Sequence, residues 1–155
     1  FESGLANLSH AHELNPNCTM TLMQLGVLLT ALGKADIGYE HLCRAVRLSP
    51  RDLWLGFMFA AQGFACYALE RYQDGIEYMR RAIQREPQAP ANHVILAACL
   101  VEIGDLEEAG AAIRAQRGIS EDYFLEYLEG KRLPYQVPEI ATRYAAALRR
   151  AADAA

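Results

Sequence analysis

Apolar and small residues recur along residues 19–50 at steps of three and four, which is the spacing of one face of an α-helix. The first stripe ends near Gly33, where a helix can close on a left-handed residue. A second stripe follows it and ends at Ser49-Pro50. The stretch therefore predicts two helices of similar length joined by a short turn. The positions of the two stripes are Leu22, Leu25, Gly26 and Leu29, and then Gly38, Leu42, Ala45 and Leu48.

The same pattern recurs before and after this stretch. Pro16, Pro50 and Pro87 follow one another at intervals of 34 and 37 residues. A glycine, a large apolar residue and an alanine precede each proline at matching distances, so small residues return where two helices must approach closely. A helix-turn-helix unit with a period of this size is typical of an α-solenoid. The three sets are Gly4, Leu8 and Ala11, then Gly38, Leu42 and Ala45, then Gly75, Met79 and Ala82.

These motifs resemble the tetratricopeptide repeat. The resemblance implies an all-α, right-handed α-solenoid of helix-turn-helix repeats with an extra helix at the C-terminus. In the third copy Gln116 replaces the expected alanine, and no proline follows. The matching positions are Leu22, Leu25, Gly26, Leu29, Gly38, Leu42, Ala45 and Pro50 in one copy, Phe59, Gly63, Cys66, Gly75, Met79, Ala82 and Pro87 in the next, and Leu96, Ala97, Leu100, Ala109 and Ile113 in the third.

The repeats divide a single domain over residues 1–155 into a half repeat (1–16), two repeats (17–50 and 51–87), a degenerate repeat (88–119) and C-terminal helices (120–155). Because Phe1 falls inside a repeat, we expect the chain to be cut from a longer protein.

Ser49-Pro50-Arg51-Asp52 has the form of a capping box and predicts a longer helix over Pro50–Leu69. The other predicted helices are Phe1–Leu14, Asn17 or Thr19 to Leu32, Asp36–Leu48, Gln73–Arg85, Ala89–Glu102, Leu106–Ala115, a short one opened by Ser120, and Pro138–Ala152 after an irregular link over residues 131–137.

The resemblance also implies a concave face lined by the first helix of each pair. Its lining is apolar, which favours a groove for an amphipathic helix or peptide of a partner protein. The alternative is that the last helix of the chain, or a second copy of the chain, covers this face. Tetratricopeptide domains that bind the acidic C-terminus of chaperones carry Lys, Asn and Arg at these positions. The lining here lacks these residues, so we do not expect a carboxylate clamp. The predicted groove residues are Met20, Met23, Val27 and Thr30, then Phe57, Ala60, Phe64 and Tyr67, then Ala91, Val94, Ala98 and Val101.

Charge and composition narrow the class of partner. The net charge of −4 argues against a nucleic-acid binder, whose footprint is a basic face. No apolar run is long enough to predict a membrane span. The four cysteines stand singly, which favours reduced, mostly buried thiols and a cytoplasmic protein. Acidic residues between Glu102 and Glu129 and basic residues from Lys131 to Arg150 are typical of a solvated face, or could steer a charged partner.

The sequence shows no arrangement of residues typical of a catalytic, metal or cofactor site. The histidines and cysteines lack the spacing of metal ligands, and no glycine-rich phosphate loop occurs. Nothing places a nucleophile beside a base. We therefore predict no catalytic residue, no metal and no cofactor. Trp54 and Tyr72 are expected to pack at the repeat junctions.

Residues 49–151 contain, in this order, the motifs Ser49–Asp52, Leu69–Tyr72, Gly75–Ala82, Leu133-Pro134-Tyr135 and Arg143–Ala151. This order of motifs resembles the C-terminal tetratricopeptide region of bacterial class III adenylate or guanylate cyclases. The resemblance implies a non-catalytic regulatory module whose parent enzyme makes a cyclic nucleotide. The alternative is a scaffold from a bacterial transcriptional regulator or signalling assembly without a cyclase.

If the groove is open, we expect Phe64→Glu to spare folding and weaken ligand binding.

Overall fold

The computed structural model describes residues 2–129, 131–132 and 134–155, and all regular structure in them is helical. Phe1 of the predicted half repeat and Leu133 of the cyclase-like motif lie outside the described residues. Within them, nine helices follow one another. They are α1 (Glu2–Leu14), α2 (Thr19–Ala31), α3 (Ala35–Leu48), α4 (Leu55–Ala68), α5 (Tyr72–Arg85), α6 (Pro90–Ile103), α7 (Leu106–Ile119), α8 (Glu121–Leu128) and α9 (Pro138–Asp153).

Three helical hairpins, α2–α3, α4–α5 and α6–α7, stack side by side. The first helices contact one another in the order α2, α4, α6, and each second helix contacts the first helix of the next hairpin. An array in which each unit buries the apolar face of its neighbour is an α-solenoid. This architecture confirms the all-α solenoid predicted from the stripes.

The first two hairpins close where their glycines allow the two helix backbones to meet. A Cβ atom on Gly26 would lie 2.5 Å from Leu42 Cγ, and one on Gly38 would lie 2.6 Å from the Gly26 carbonyl oxygen. Gly75 occupies the equivalent place in the next hairpin, since its Cβ would face the Gly63 carbonyl oxygen at 3.6 Å. The recurring small residues of the sequence therefore mark equivalent helix contacts.

The predicted helix over Pro50–Leu69 is wrong at its start. Ser49 ends α3, and α4 begins only at Leu55. The Asp52 carboxylate accepts a hydrogen bond of 2.9 Å from the Trp54 backbone N–H, so this side chain stabilises a turn rather than a helix start. The added length of this repeat consequently lies mainly in the loop over residues 49–54, which is longer than the equivalent connections over residues 15–18 and 86–89.

After the third hairpin the chain departs from the repeat. Gln116, which replaces the expected alanine, is buried and donates a hydrogen bond to the Ser120 carbonyl oxygen, and α7 runs on to Ile119 instead of ending near Ala115. The Ser120 hydroxyl then accepts from the Tyr123 N–H at the start of α8, as predicted. Helix α9 packs against α6 and α7, which is the position that the first helix of a further hairpin would take.

Candidate protein-binding groove

The structure divides the predicted groove residues into exposed and covered groups. Two of them are partly open to solvent, Met20 at 38% and Phe57 at 44% of their surface. Three others, Val27, Ala60 and Ala91, are half-buried. The remainder are buried: Met23, Thr30, Phe64, Tyr67, Val94, Ala98 and Val101.

Thr30 and Met23 are buried for reasons unrelated to the concave face. The Thr30 hydroxyl donates to the Gly26 carbonyl oxygen within α2, and a Cβ on Gly38 would meet this hydroxyl at 2.6 Å. Thr30 therefore faces its own partner helix α3. Met23 packs in the cluster that joins the first two hairpins, together with Leu42 and Leu55. Neither side chain is available to a partner in this structure.

An open cleft remains between the first helices of the three hairpins. Its volume is about 250 Å³, and most of its lining is aliphatic or aromatic. It brings together five of the predicted positions, and Glu86 and Asn92 add polar groups at its wall. Such a cleft can hold the apolar side chains of a peptide. The lining residues are Val27, Phe57, Ala60, Ala61, Phe64, Glu86, Ala89, Ala91, Asn92, Ile95, Tyr127 and Pro134.

The loop over residues 49–54 exposes two large apolar side chains just before α4, whose Phe57 lines the cleft. Leu53 is 97% exposed and Trp54 is 55% exposed, one helical turn before the half-exposed Phe57. Trp54 is thus not a packing residue at a repeat junction, whereas Tyr72 does pack edge-on to Tyr67, with ring centroids 5.6 Å apart. The sequence signal for this surface was the longer spacing from Pro50 to Pro87, which we assigned to a helix.

The rest of the concave face is covered by the chain itself. The ring of Tyr135 stacks on Phe64 with centroids 4.5 Å apart and planes 16° apart. Its hydroxyl donates a hydrogen bond of 2.8 Å to the Phe64 carbonyl oxygen. Tyr144 of α9 packs edge-on to Tyr67, with centroids 5.1 Å apart. Phe64 and Tyr67 are therefore core residues, which overturns the expectation that Phe64→Glu spares folding.

Burial of the aromatic cluster changes the acidity of its phenols. Desolvation raises the pKa of Tyr67, Tyr127, Tyr135 and Tyr144 above the usual value for tyrosine. The Tyr67 hydroxyl also donates a hydrogen bond of 3.0 Å to Glu102. Desolvation likewise raises the pKa of the buried Cys66 thiol to about 12. These groups stay protonated at neutral pH, so they act here as packing residues.

Several of the late charged residues form ion pairs within the chain. Arg132 pairs with Glu126, and Lys131 pairs with Glu129 at 2.7 Å. Arg80 of α5 contacts both carboxylate oxygens of Glu108 at 2.7 Å. These pairs favour a solvated face over a steering surface.

Within residues 2–129, 131–132 and 134–155, no group of three or more His, Cys, Asp and Glu side chains is arranged to hold a metal ion. No helix in the described part of the chain combines the length and apolarity needed to cross a membrane.

Comparison with known proteins identifies the repeat. Residues 67–122 match the family model described as tetratricopeptide repeat. The fold is a tetratricopeptide α-solenoid. No curated protein matches the chain significantly.

Several solved structures of tetratricopeptide proteins share the fold. A crystal structure of MamA superposes with a TM-score of 0.68 at 19% identity, over 97% of this chain and 85% of that one. A MamA fragment from Desulfovibrio magneticus RS-1 gives 0.66 at 20% identity, over 76% and 65%. YrrB, described as a TPR protein with an unusual peptide-binding site, gives 0.63 at 19% identity, over 99% and 77%. At these identities the likeness shows the fold alone.

Proposed function

We propose that this chain is a non-catalytic interaction module that binds an apolar peptide or amphipathic helix of a partner protein in the open cleft. The observation that carries the proposal is an open, mainly apolar cleft that has an exposed aromatic residue one helical turn before its wall. Phe57 lines the cleft, and Trp54 lies one turn before it. Proteins seldom leave an apolar surface of this kind without a function in recognition.

The chemistry of the cleft defines the ligand. Its walls are mainly Val, Ala, Phe and Ile side chains, so burial of an apolar anchor residue in the cleft is favourable. Glu86 stands at the wall, and a Cβ atom on Gly56 would lie 2.7 Å from its Oε1 atom. A positively charged or hydrogen-bond-donating group beside the apolar anchor suits this carboxylate. YrrB, which has a similar fold, is described as having a peptide-binding site, which agrees in kind with this proposal.

A matched pair of substitutions tests the site. Phe57 on α4 and Ile37 on α3 are 44% and 45% exposed, but only Phe57 lines the cleft. A peptide is first selected from a random display library on the immobilised chain, and its affinity is then measured by fluorescence anisotropy. Phe57→Asp should weaken binding by about tenfold or more, as expected for an apolar anchor. Ile37→Asp should bind like the unaltered chain.

Equal affinity of both variants and the unaltered chain would exclude the cleft as the site. The same variants test self-association, the other occupant considered for this face. If a second copy fills the cleft, sedimentation velocity will show an oligomer that Phe57→Asp dissociates and Ile37→Asp does not.

The link to a class III cyclase remains a prediction from the sequence resemblance, with the regulator scaffold as its alternative. We propose that the module would act by setting the arrangement of domains joined to it, because such cyclases form their active site between two catalytic domains. The test is to remove residues 1–155 from the parent protein and measure cyclase activity and oligomeric state. If both stay unchanged, the regulatory role is wrong. A winged-helix domain upstream would favour the alternative.

A further inference from the structure

Residues 134–137 cross the concave face in an irregular conformation, and each of them lies against the solenoid. Pro134 forms part of the wall of the open cleft. Tyr135 is fully enclosed between Phe64, Tyr67 and Tyr144. This short segment thus lies where a peptide ligand of the concave face would lie.

The backbone and the last residue of the segment complete the contact. The Gln136 N–H donates a hydrogen bond of 2.8 Å to the Ala31 carbonyl oxygen at the end of α2. A Cβ on Gly33 would lie 2.5 Å from Val137 Cγ2, so the segment approaches the turn after α2 as closely as glycine permits. The segment therefore spans from α4 to the end of α2 through one stacked ring and two hydrogen bonds.

We propose that residues 134–137 are an internal ligand that occupies a second peptide site on the concave face, and that a partner segment with the same features replaces it. Those features are an aromatic residue with a hydroxyl donor, followed directly by a backbone N–H that is free to donate. The proposal rests on the proposed role of the concave face in protein binding. It adds a site, next to the open cleft, that is closed by the chain itself.

Two observations argue that this contact is a bound segment rather than part of the repeat array. The acceptors it uses, the carbonyl oxygens of Ala31 and Phe64, belong to helices of two different hairpins, as expected for a peptide laid across a solenoid. Among the described residues, the hydrogen bonds and ring stacking between residues 134–137 and the first helices also involve just two side chains, Phe64 and Tyr67. A contact of this size can open locally without unfolding the hairpins beneath it.

The first test uses the segment as its own probe. A fluorescein-labelled peptide with the sequence of residues 131–140 is titrated into the unaltered chain and into Tyr135→Ala, with a peptide carrying alanine in place of tyrosine as control. Tyr135→Ala should bind the probe about tenfold more tightly than the unaltered chain, because its own segment no longer holds the site. The control peptide should bind neither protein. Equal binding by both proteins would overturn the proposal.

A second test needs no change in the segment. Gly33 and Gly104 hold nearly the same left-handed conformation, with φ of 86° and 88°, but a Cβ on Gly104 meets nothing within 4 Å. Gly33→Ala should therefore speed hydrogen exchange of the Gln136 amide by about tenfold relative to Gly104→Ala, while amides within α4 exchange alike in both. The contrary result is a Gln136 amide that exchanges hydrogen at the same rate as the α4 amides in the unaltered chain and in both variants. The segment would then open only together with the core, and the proposal would be wrong.

The proposal for the open cleft and the proposal for the internal ligand can be refuted independently of each other. Phe57→Asp alters the open cleft and leaves Tyr135 and its contacts in place, so loss of the cleft function does not remove the internal ligand. If Tyr135→Ala fails to fold by circular dichroism, the exchange comparison of Gly33→Ala and Gly104→Ala decides the outcome.

Discussion

The guanidinium of Arg143 lies 2.6 Å from the carboxylate of Glu70 and joins α9 to the turn after α4. Glu70 is the one residue other than glycine with a positive φ, 59°, among the described residues. Gly33 and Gly104 stand at the equivalent turns of the neighbouring hairpins. A side chain in this conformation costs about 1–2 kcal/mol. The solenoid thus bears backbone strain at the point where its C-terminal helix is fastened.

Two substitutions at Glu70 separate the ion pair from the strain. Glu70→Gln removes the charge and keeps the strain, and it should lower the free energy of unfolding by about 0.2–1 kcal/mol, since the pair is partly exposed. Glu70→Gly removes both and should be about 1 kcal/mol more stable than Glu70→Gln. Urea unfolding of the three proteins measures both differences. A Glu70→Gly variant less stable than Glu70→Gln would show that the side chain packs, and that strain is not the dominant effect.

The close contact between α2 and α3 predicts strong sensitivity at Gly26. A Cβ there would lie 2.5 Å from Leu42 Cγ and 2.8 Å from the Gly38 carbonyl oxygen. Gly26→Ala should therefore destabilise the chain by about 1–3 kcal/mol. Gly118 in α7 is the control, because its Cβ would meet nothing within 4 Å. Gly118→Ala should stabilise by about 0.5–1 kcal/mol through helix propensity. Thermal melts in which both variants shift in the same direction would contradict this packing.

Phe64 and Phe57 occupy the same face of α4 but differ in burial, at 7% and 44% exposed. Phe64→Ala should cost about 3–5 kcal/mol, because it empties the space against Tyr135. Phe57→Ala should cost about 1 kcal/mol or less, since its ring is already partly in water. Guanidinium unfolding measures both values. Similar losses at the two positions would mean that the cleft is closed in solution.

Two buried tyrosines predict opposite effects of removing a hydroxyl. The Tyr144 hydroxyl is buried and finds no hydrogen-bond partner among the described residues, whereas the Tyr135 hydroxyl donates to Phe64. Tyr144→Phe should stabilise the chain by about 1 kcal/mol or more, and Tyr135→Phe should destabilise it by about 1 kcal/mol. Chemical denaturation of both variants tests the pair. A destabilised Tyr144→Phe would reveal a partner for that hydroxyl.

The same tyrosines predict how stability depends on pH. Desolvation raises the pKa of Tyr67, Tyr127, Tyr135 and Tyr144 in the folded chain, while the unfolded chain keeps the ordinary value of about 10. Above pH 10 the unfolded state loses protons that the folded state retains. The contribution of these residues is therefore complete below pH 10 and is lost as the pH rises further. Absorbance at 295 nm should show these four phenols ionising together with the loss of helical circular dichroism.

Ionisation of all eight tyrosines before any helical signal is lost would show that the aromatic cluster is open to water. Tyr144→Phe removes one of the four phenols, so its alkaline transition should lie at higher pH than that of the unaltered chain.

The sequence by itself determined the hairpins. The stripes from Leu22 to Leu48 and their copies predict α2–α7, because the 3.6-residue period and the glycine at the close contact are properties of a few neighbouring turns. The end of α2 at Gly33 could be predicted for the same reason, since a left-handed residue closes a helix locally. The loop over residues 49–54 escaped prediction because Ser49 to Asp52 suits a capping box and a turn equally well.

Only the tertiary structure decided which part of the groove is open. Periodicity places Phe57 and Phe64 on the same face of α4 and gives no reason to treat them differently. Their difference arises because Tyr135, 71 residues after Phe64, stacks on one ring and leaves the other exposed. Such a contact depends on where α9 packs and on the path of the segment before it. Local sequence pattern does not encode that path, because many arrangements of a short link satisfy the same helices.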